Sequence, residues 1–296
     1  MTTSETLAAA PPAGPDADVP RVAPIRRKRS IATWLSVIWL VLIVLAALLA
    51  DLLPIANYAI PIGTPRTPPS FESLDAILGT DGLGRSILSR CIHGARVSLL
   101  VGAIAGLLGC GIGTLVGHLA GYLGRSTDGV LMFLMDALLA FPPLILLLAL
   151  SSALTPSVTT VVAGLTLLVI PTFARLARAH TLVWSAREFV RAAKNMGSTN
   201  LRIMGREILP NVIPAMTAYL PIVVAALIVA EGSLSFLGLG IPPPTPSWGG
   251  MISDGKDTIA EAPHLVFVPA TVLFLTVFSL NVAGDALRAR FDHTVR

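Results

Sequence analysis

Five stretches of the chain, residues 30–50, 97–124, 137–174, 208–230 and 262–284, contain no Asp, Glu, Lys or Arg. A helix needs about 20 predominantly apolar residues to cross the hydrocarbon core of a bilayer. Four stretches therefore hold one crossing each, and 137–174 is long enough for two. The predicted spans are 31–53, 97–119, 129–150, 156–176, 211–233 and 265–284, which makes the fold class all-α: a polytopic membrane protein with six transmembrane helices. In the second span Gly109, Gly113 and Gly117 repeat every four positions, after Gly102 and Gly106. Such a strip on one helical face predicts close approach of another backbone. Pro142-Pro143, Pro214 and Pro221 interrupt other spans, and each frees a carbonyl that a neighbour or cavity water must satisfy.

The polar stretches complete the layout. Residues 1–29 are rich in Pro, Ala and Asp without aromatics, a composition that cannot bury enough apolar surface to offset chain entropy. They are expected to be a disordered cytoplasmic tail, not a cleavable leader, because the apolar run that follows exceeds a signal peptide's. Residues 30–96 comprise the first span and an extracytoplasmic segment, 97–290 a five-helix core with a cytoplasmic loop at 177–210, and 291–296 a cytoplasmic C-terminal tail. Leu83, Ile87, Leu88, Cys91 and Ile92 recur at helical spacing opposite Arg85, Ser86, Ser89 and Arg90. That pattern fits an interfacial helix on the membrane and equally an amphipathic helix packed on its own protein.

Composition agrees with the pattern: 54% of residues are hydrophobic and 13% charged, against roughly 25% charged in a soluble domain. A single water-soluble globule is excluded. The net charge of +4 implies no nucleic-acid partner, because basic residues in a membrane protein mark the cytoplasmic side. Arg26-Arg27-Lys28-Arg29 precedes the first span, and Arg125, Arg175, Arg178, Arg187, Arg191, Lys194, Arg202, Arg206, Arg288, Arg290 and Arg296 fall on the same predicted side. Both termini are expected in the cytoplasm. Trp34, Trp39, Trp184 and Trp248 mostly fall near span ends, as interface anchors do.

Chemistry is sparse. Cys91 and Cys110 are the only cysteines and the five histidines are scattered, so neither a disulfide framework nor a metal site is expected. No nucleophile-elbow or zinc-protease motif marks a catalytic residue. Lys28, Lys194 and Lys256, the only lysines, stand outside any phosphate loop, so ATP chemistry would belong to another chain. Asp136 and Glu231 fall within or at the ends of spans. An acid there is a functional candidate by default, and both are candidates for a substrate pathway; the alternative is an interfacial position or pairing with a neighbouring donor.

The loop at 172–210 is far longer than the usual helix-to-helix link of about 2–8 residues. It predicts two short helices, Glu188–Met196 and Thr199–Glu207, broken at Gly197, with Leu209-Pro210 opening the next span. Phe189, Ala192, Ala193 and Met196 share a face of the first, flanked by Arg187, Arg191 and Lys194. This face resembles the cytoplasmic loop of the permease subunits of ATP-binding-cassette importers, whose motif reads Glu-Ala-Ala, three residues, Gly, nine residues, Ile-x-Leu-Pro. Ala192, Ala193, Gly197, Leu209 and Pro210 stand at those spacings, while Arg191 replaces the motif's Glu and Glu207 its Ile. Further segments are similar to the C-type permease of dipeptide and oligopeptide (peptide/nickel) importers. They are Gly79-Thr80-Asp81-Gly82-Leu83-Gly84-Arg85 with Ser86 in place of an expected Asp, Phe141-Pro142-Pro143, Glu231 to Gly240, Pro246-Ser247-Trp248-Gly249 and Asp285-Ala286-Leu287-Arg288.

The resemblance implies a type I ABC importer permease fold in a bacterial cytoplasmic (inner) membrane. It implies a second, B-type permease subunit, one or two cytoplasmic ABC ATPase subunits holding ATP and Mg, and an extracytoplasmic substrate-binding protein, all beside membrane lipid. Glu188, Phe189, Arg191, Ala192, Ala193, Met196 and Gly197, with Leu209 and Pro210, would dock the ATPase; Gly79, Thr80, Asp81, Gly84 and Arg85 would form the outward motif. The cargo class implied is peptide. An ion-coupled secondary transporter is the alternative, but it leaves the long loop unexplained and has only two intramembrane acids to couple with.

Overall fold

The computed structural model describes residues 31–155 and 157–291. The tail expected over 1–29, with its basic cluster, lies outside the described residues, as do 292–296 of the expected C-terminal tail. Regular structure among the described residues is helical: α1 (Ile31–Leu48), α2 (Ile87–Leu123), α3 (Arg125–Leu139), α4 (Pro143–Ala153), α5 (Val158–Ser185), α6 (Glu188–Asn195), α7 (Asn200–Arg202), α8 (Leu209–Phe236), α9 (Trp248–Gly255) and α10 (His264–Phe291). Five helices are long and apolar enough to cross a bilayer, and α3 with α4 makes a sixth crossing if the bent pair is one span.

That pair revises the expected third span. Instead of one rod over 129–150, α3 and α4 meet at 84°. Pro142 lies outside the α region at φ −56° and ψ 130°, as the residue before a proline prefers. Pro143 then begins α4, where its missing N–H costs nothing.

The centre of the bundle is α2 against α5, the most extensive helix pair, and glycine makes it close. A Cβ on Gly113 would stand 2.6 Å from the Ile170 carbonyl, and one on Gly117 would collide with the Ala174 carbonyl. Gly102 and Gly106 open the adjoining face of α2 to Ile228 and Val224 of α8. Leu147, Leu165, Phe173, Val212 and Leu227 fill the core between these helices. Helix α10 lies against α8 and α1, while Leu35, Ile38, Val41 and Leu42 of α1 stay exposed, a surface suited to lipid.

Before α2, residues 52–86 form an irregular lobe with one short helical turn at Leu74–Ala76 and isolated bridges Pro61 to Arg85 and Thr80 to Ser86. Of the two readings of 83–92, the structure has the one without an interfacial helix: Ile87 and Cys91 belong to α2 and pack on Met251, Ala262 and Leu265. Ser86 caps α2 by accepting the Ser89 N–H at 3.3 Å. Serine and aspartate are about equal as caps, so the departure from Asp keeps the helix start. Trp248 corrects its reading as an interface anchor: it is fully buried and its indole N–H donates to the Cys91 carbonyl at 3.0 Å.

Candidate functional site

Two residues separate α5 from α6, whose eight residues begin with Glu188 in the first turn and end with Lys194 in the last. Both charges suit the helix dipole. Gly197 then reverses the chain at φ +80°. Its N–H donates to the Lys194 carbonyl at 3.0 Å and that of Ser198 to the Ala193 carbonyl at 3.1 Å, the paired bonds of a Schellman stop. Val190 and Ala193 are buried and fasten α6 to the bundle core. Phe189 is 40% and Met196 79% exposed, with Glu188, Arg191, Ala192 and Lys194 also exposed. The sequence put Ala193 on the outward apolar face; the structure turns it inward, because α6 meets the bundle through its 190/193 edge.

The second expected helix, Thr199–Glu207, is not separate. From Asn200 the chain runs as one rod to Phe236, through a π-helical stretch at Ile203–Ile208. Leu209 is half-buried and Pro210 exposed at the start of α8 within that rod, outside α6 itself. The wide turn accommodates Pro210, which lacks an N–H. The Leu209 N–H reaches back to the Met204 carbonyl, and Asn211 Nδ2 donates to the Glu207 carbonyl at 2.7 Å.

The two intramembrane acids lie apart from α6 and from each other. Asp136 accepts a 2.6 Å bond from Arg175 of α5, both side chains more than half exposed. One turn away Arg178 grips Asp128 with both Nε and Nη2, so two ion pairs tie α3 to α5. Glu231 is fully buried. Its Oε1 accepts from Ser235 Oγ at 2.7 Å and its Oε2 from Ser98 Oγ at 3.2 Å, while Ser98 Oγ also takes the Trp248 N–H at 3.3 Å. In this conformation Glu231 joins α2, α8 and α9, the pairing with neighbouring donors that stood as the alternative to a place on the substrate pathway. Both partners were missed from the sequence: Ser235, one turn along the same helix, could have been found from its spacing of four, whereas Ser98, 133 positions away, left no sequence signal.

The segment Gly79 to Arg85 folds around one carboxylate. Asp81 accepts the backbone N–H of Leu83 and Arg85 at 2.8 and 2.9 Å and the Arg85 Nε at 2.6 Å. Arg90 stands 3.4 Å from the same carboxylate and 3.6 Å from Asp254. Thr80 Oγ1 donates to the Thr64 carbonyl and accepts the Thr67 N–H. Gly79 and Gly84 take positive φ with the carbonyls of Thr67 and Gly63 where a Cβ would be. The motif thus builds and caps the lobe on α2. Beside it the Arg96 guanidinium holds the Asp51 carboxyl below the usual carboxylate range.

Among the described residues no three His, Cys, Asp or Glu side chains gather as a metal site. An apolar cleft of about 380 Å³ opens between α4, α8, α9 and α10, lined by Leu144, Val229, Phe236, Ile252 and Leu273 among others. These surfaces offer docking and packing.

Comparison with known proteins places this architecture. A family model described as "Binding-protein-dependent transport system inner membrane component" matches residues 113–296. The chain is 39% identical over 224 residues, 76% of its own length and 74% of the relative's, to the glutathione transport system permease protein GsiD of Escherichia coli O6:K15:H31 (strain 536 / UPEC). The same figures hold for GsiD of Shigella boydii serotype 4 (strain Sb227). Among solved structures, the MetNI methionine ABC transporter in inward-facing conformations superposes with a TM-score of 0.57 at 18% identity, covering 68% of this chain and 95% of that one. An amino acid ABC transporter solved with histidines gives 0.51 at 15% identity, over 69% and 94%. At those identities the likeness is one of fold.

Proposed function

The chain belongs to the binding-protein-dependent transport family as a membrane-spanning permease subunit of an ABC importer, and from that premise we propose that its cargo is a short peptide and that α6 receives the ATPase stroke. Glutathione is itself a tripeptide, so the transport for which GsiD is named lies in the same chemical class. The observation that carries the coupling role is the division of α6 into a fastened edge and a free face: Val190 and Ala193 are buried while Phe189 and Met196 stand in the open. A partner that grips the free face moves the bundle through the fastened edge, and through the rod Asn200–Phe236 behind it.

In this reading the ATPase chemistry, with ATP and Mg, sits in separate subunits, one or two in number. A second permease completes the pathway, and an extracytoplasmic binding protein presents the peptide. The basic residues Arg125, Arg187, Arg191, Lys194, Arg202 and Arg206 support a cytoplasmic position for α6 and the α2–α3 turn by the positive-inside rule. The lobe at 52–86, with Gly79, Thr80, Asp81, Gly84 and Arg85, then faces outward, where the binding protein docks. Asp136 serves as a strut between α3 and α5 that shares the wall of the pathway.

The test is peptide uptake by the reconstituted importer in proteoliposomes whose ion gradients have been collapsed. Uptake is expected to need ATP and peptide-loaded binding protein, and to fall at least tenfold in Met196→Asp, a change that sets an unpaired charge in an apolar contact worth about 2 kcal/mol or more. Uptake that failed with ATP under these conditions and returned without ATP when a proton or sodium gradient was restored would overturn the reading.

A further inference from the structure

A hollow of about 430 Å³ lies between α6 and the adjoining ends of α2, α5 and α7, with Tyr122, Ser185, Arg191, Lys194 and Asn200 on its walls. One wall is fixed: Tyr122 Oη donates to Asn200 Oδ1 at 3.0 Å, tying α2 to α7. The Arg191 guanidinium is steadied by a 3.0 Å bond from its Nη2 to the Ala186 carbonyl. No ion pair among the described residues neutralises Arg191 or Lys194, and no acid lines the hollow. Around it the stretch 187–207 carries five basic residues against two acidic ones. Two cations facing one recess repel each other, and an anion seated between them relieves that repulsion.

Position along α5 selects the kind of anion. A hydrocarbon core about 30 Å thick takes up roughly 20 residues of a helix, and the headgroups add only about 5–8 Å on each side. Counted from Val158, the first residue of α5, that core ends near Ala177. Ser185 stands about 12 Å farther, at 1.5 Å per residue, past the phosphates and level with whatever soluble domain covers α6. The occupant favoured is therefore a protein carboxylate.

We propose that an Asp or Glu side chain of the ATPase subunit seats in this hollow between Arg191 and Lys194, while Phe189 and Met196 fill the apolar part of the same docking groove. The inference rests on the reading of α6 as the ATPase-docking helix and adds the charge its partner must carry. It also gives the departure at Arg191 a function. A cation where the motif has Glu accepts an ATPase with an acid at that point and repels one with a base, so charge sets which ATPase this permease takes.

The experiment uses the complete importer in lipid nanodiscs, treated with a water-soluble carbodiimide, which joins an amine to a touching carboxylate. Mass spectrometry of the digest is expected to find Lys194 joined to an Asp or Glu of the ATPase. Arg191→Glu with Lys194→Glu is expected to lower the ATPase that co-purifies by about tenfold or more, the usual consequence of setting like charges across an interface. Changing the cross-linked acid to Lys is expected to restore it. Arg191→Gln with Lys194→Gln, which introduces no new charge, guards against misfolding and is expected to lose ATPase to a smaller degree with no link at 194. If Met196→Asp releases the ATPase while the charge-reversed pair retains it, the docking reading stands and the inference is overturned. If neither releases it, the docking reading itself fails. If the reversed pair sheds phosphatidylglycerol from the nanodisc preparation and keeps the ATPase, the hollow is a lipid site and the inference is likewise overturned.

Discussion

Glu231 holds both carboxyl oxygens among hydroxyls and has no cation beside it, so its worth lies in satisfying those groups. Gln at 231 still offers an oxygen and an N–H to Ser98 and Ser235, and Glu231→Gln is expected to purify and unfold much like the parent. Glu231→Leu takes away the acceptor to which the Ser98 and Ser235 hydroxyls donate, at about 1–3 kcal/mol for each buried donor left unsatisfied, and is expected to lower the thermal unfolding midpoint of the purified protein measurably. Equal instability of both variants would mean that the charge itself matters. Neighbouring alanines on α6 make a second pair of probes. Ala193 is buried and Ala192 exposed, so Ala193→Asp buries a charge without a partner and is expected to reduce folded yield. Ala192→Asp is expected to fold normally and to weaken only ATPase retention, read by co-purification. The sequence pattern placed both on one face, since a spacing of three and four marks a shared stripe without saying which edge of that stripe meets the bundle.

Among elements, the legible ones were those whose cause is local. Charge-free windows gave the spans, and the four-residue glycine repeat gave the closeness of α2, whose partner α5 the structure supplies. The elbow between α3 and α4 was signalled by Pro142-Pro143 but read as an interruption in one rod, because a proline pair does not state the angle of the break. Arg85 and Arg90 made the start of α2 look like a surface helix; Asp81 and Asp254 neutralise them, and the second of those lies far along the chain. The turn after α6 was readable because Gly197 must adopt φ +80°, a conformation that costs other residues roughly 1–2 kcal/mol. A Cβ at Gly197 meets no atom within 4 Å, so Gly197→Ala tests conformation without collision. It is expected to leave membrane insertion unchanged and to cut peptide-stimulated ATP hydrolysis several-fold by misplacing α6, with Gly197→Asn milder because Asn tolerates the left-handed region. Stimulation equal to the parent in both would mean that the turn contributes nothing to coupling.

At the scale of the whole molecule, the arrangement needs the lobe at 52–86 and the helix α6 on opposite sides of the membrane. With the bent α3–α4 pair counted as one span, three crossings separate them: α2 runs from the lobe to the α3 turn, α3 with α4 leads back, and α5, parallel to α2, ends at α6. Exposed positions at both ends make this measurable. Phe71 in the lobe is 97% exposed and Met196 at the tip of α6 is 79% exposed, while Cys91 is buried and Cys110 partly so. In a background of Cys91→Ala and Cys110→Ala, a membrane-impermeant maleimide is expected to label Phe71→Cys in spheroplasts with intact inner membranes. Met196→Cys is expected to label only after the membrane is opened, and then only in cells lacking the ATPase, because the docked subunit covers that face. Labelling of Met196→Cys in intact spheroplasts with Phe71→Cys labelled only after opening would invert the orientation derived from the basic residues, and labelling of both from one side would refute the division of the lobe and α6 across the membrane. Labelling of Met196→Cys regardless of the ATPase would leave the orientation standing and remove α6 from the docking surface.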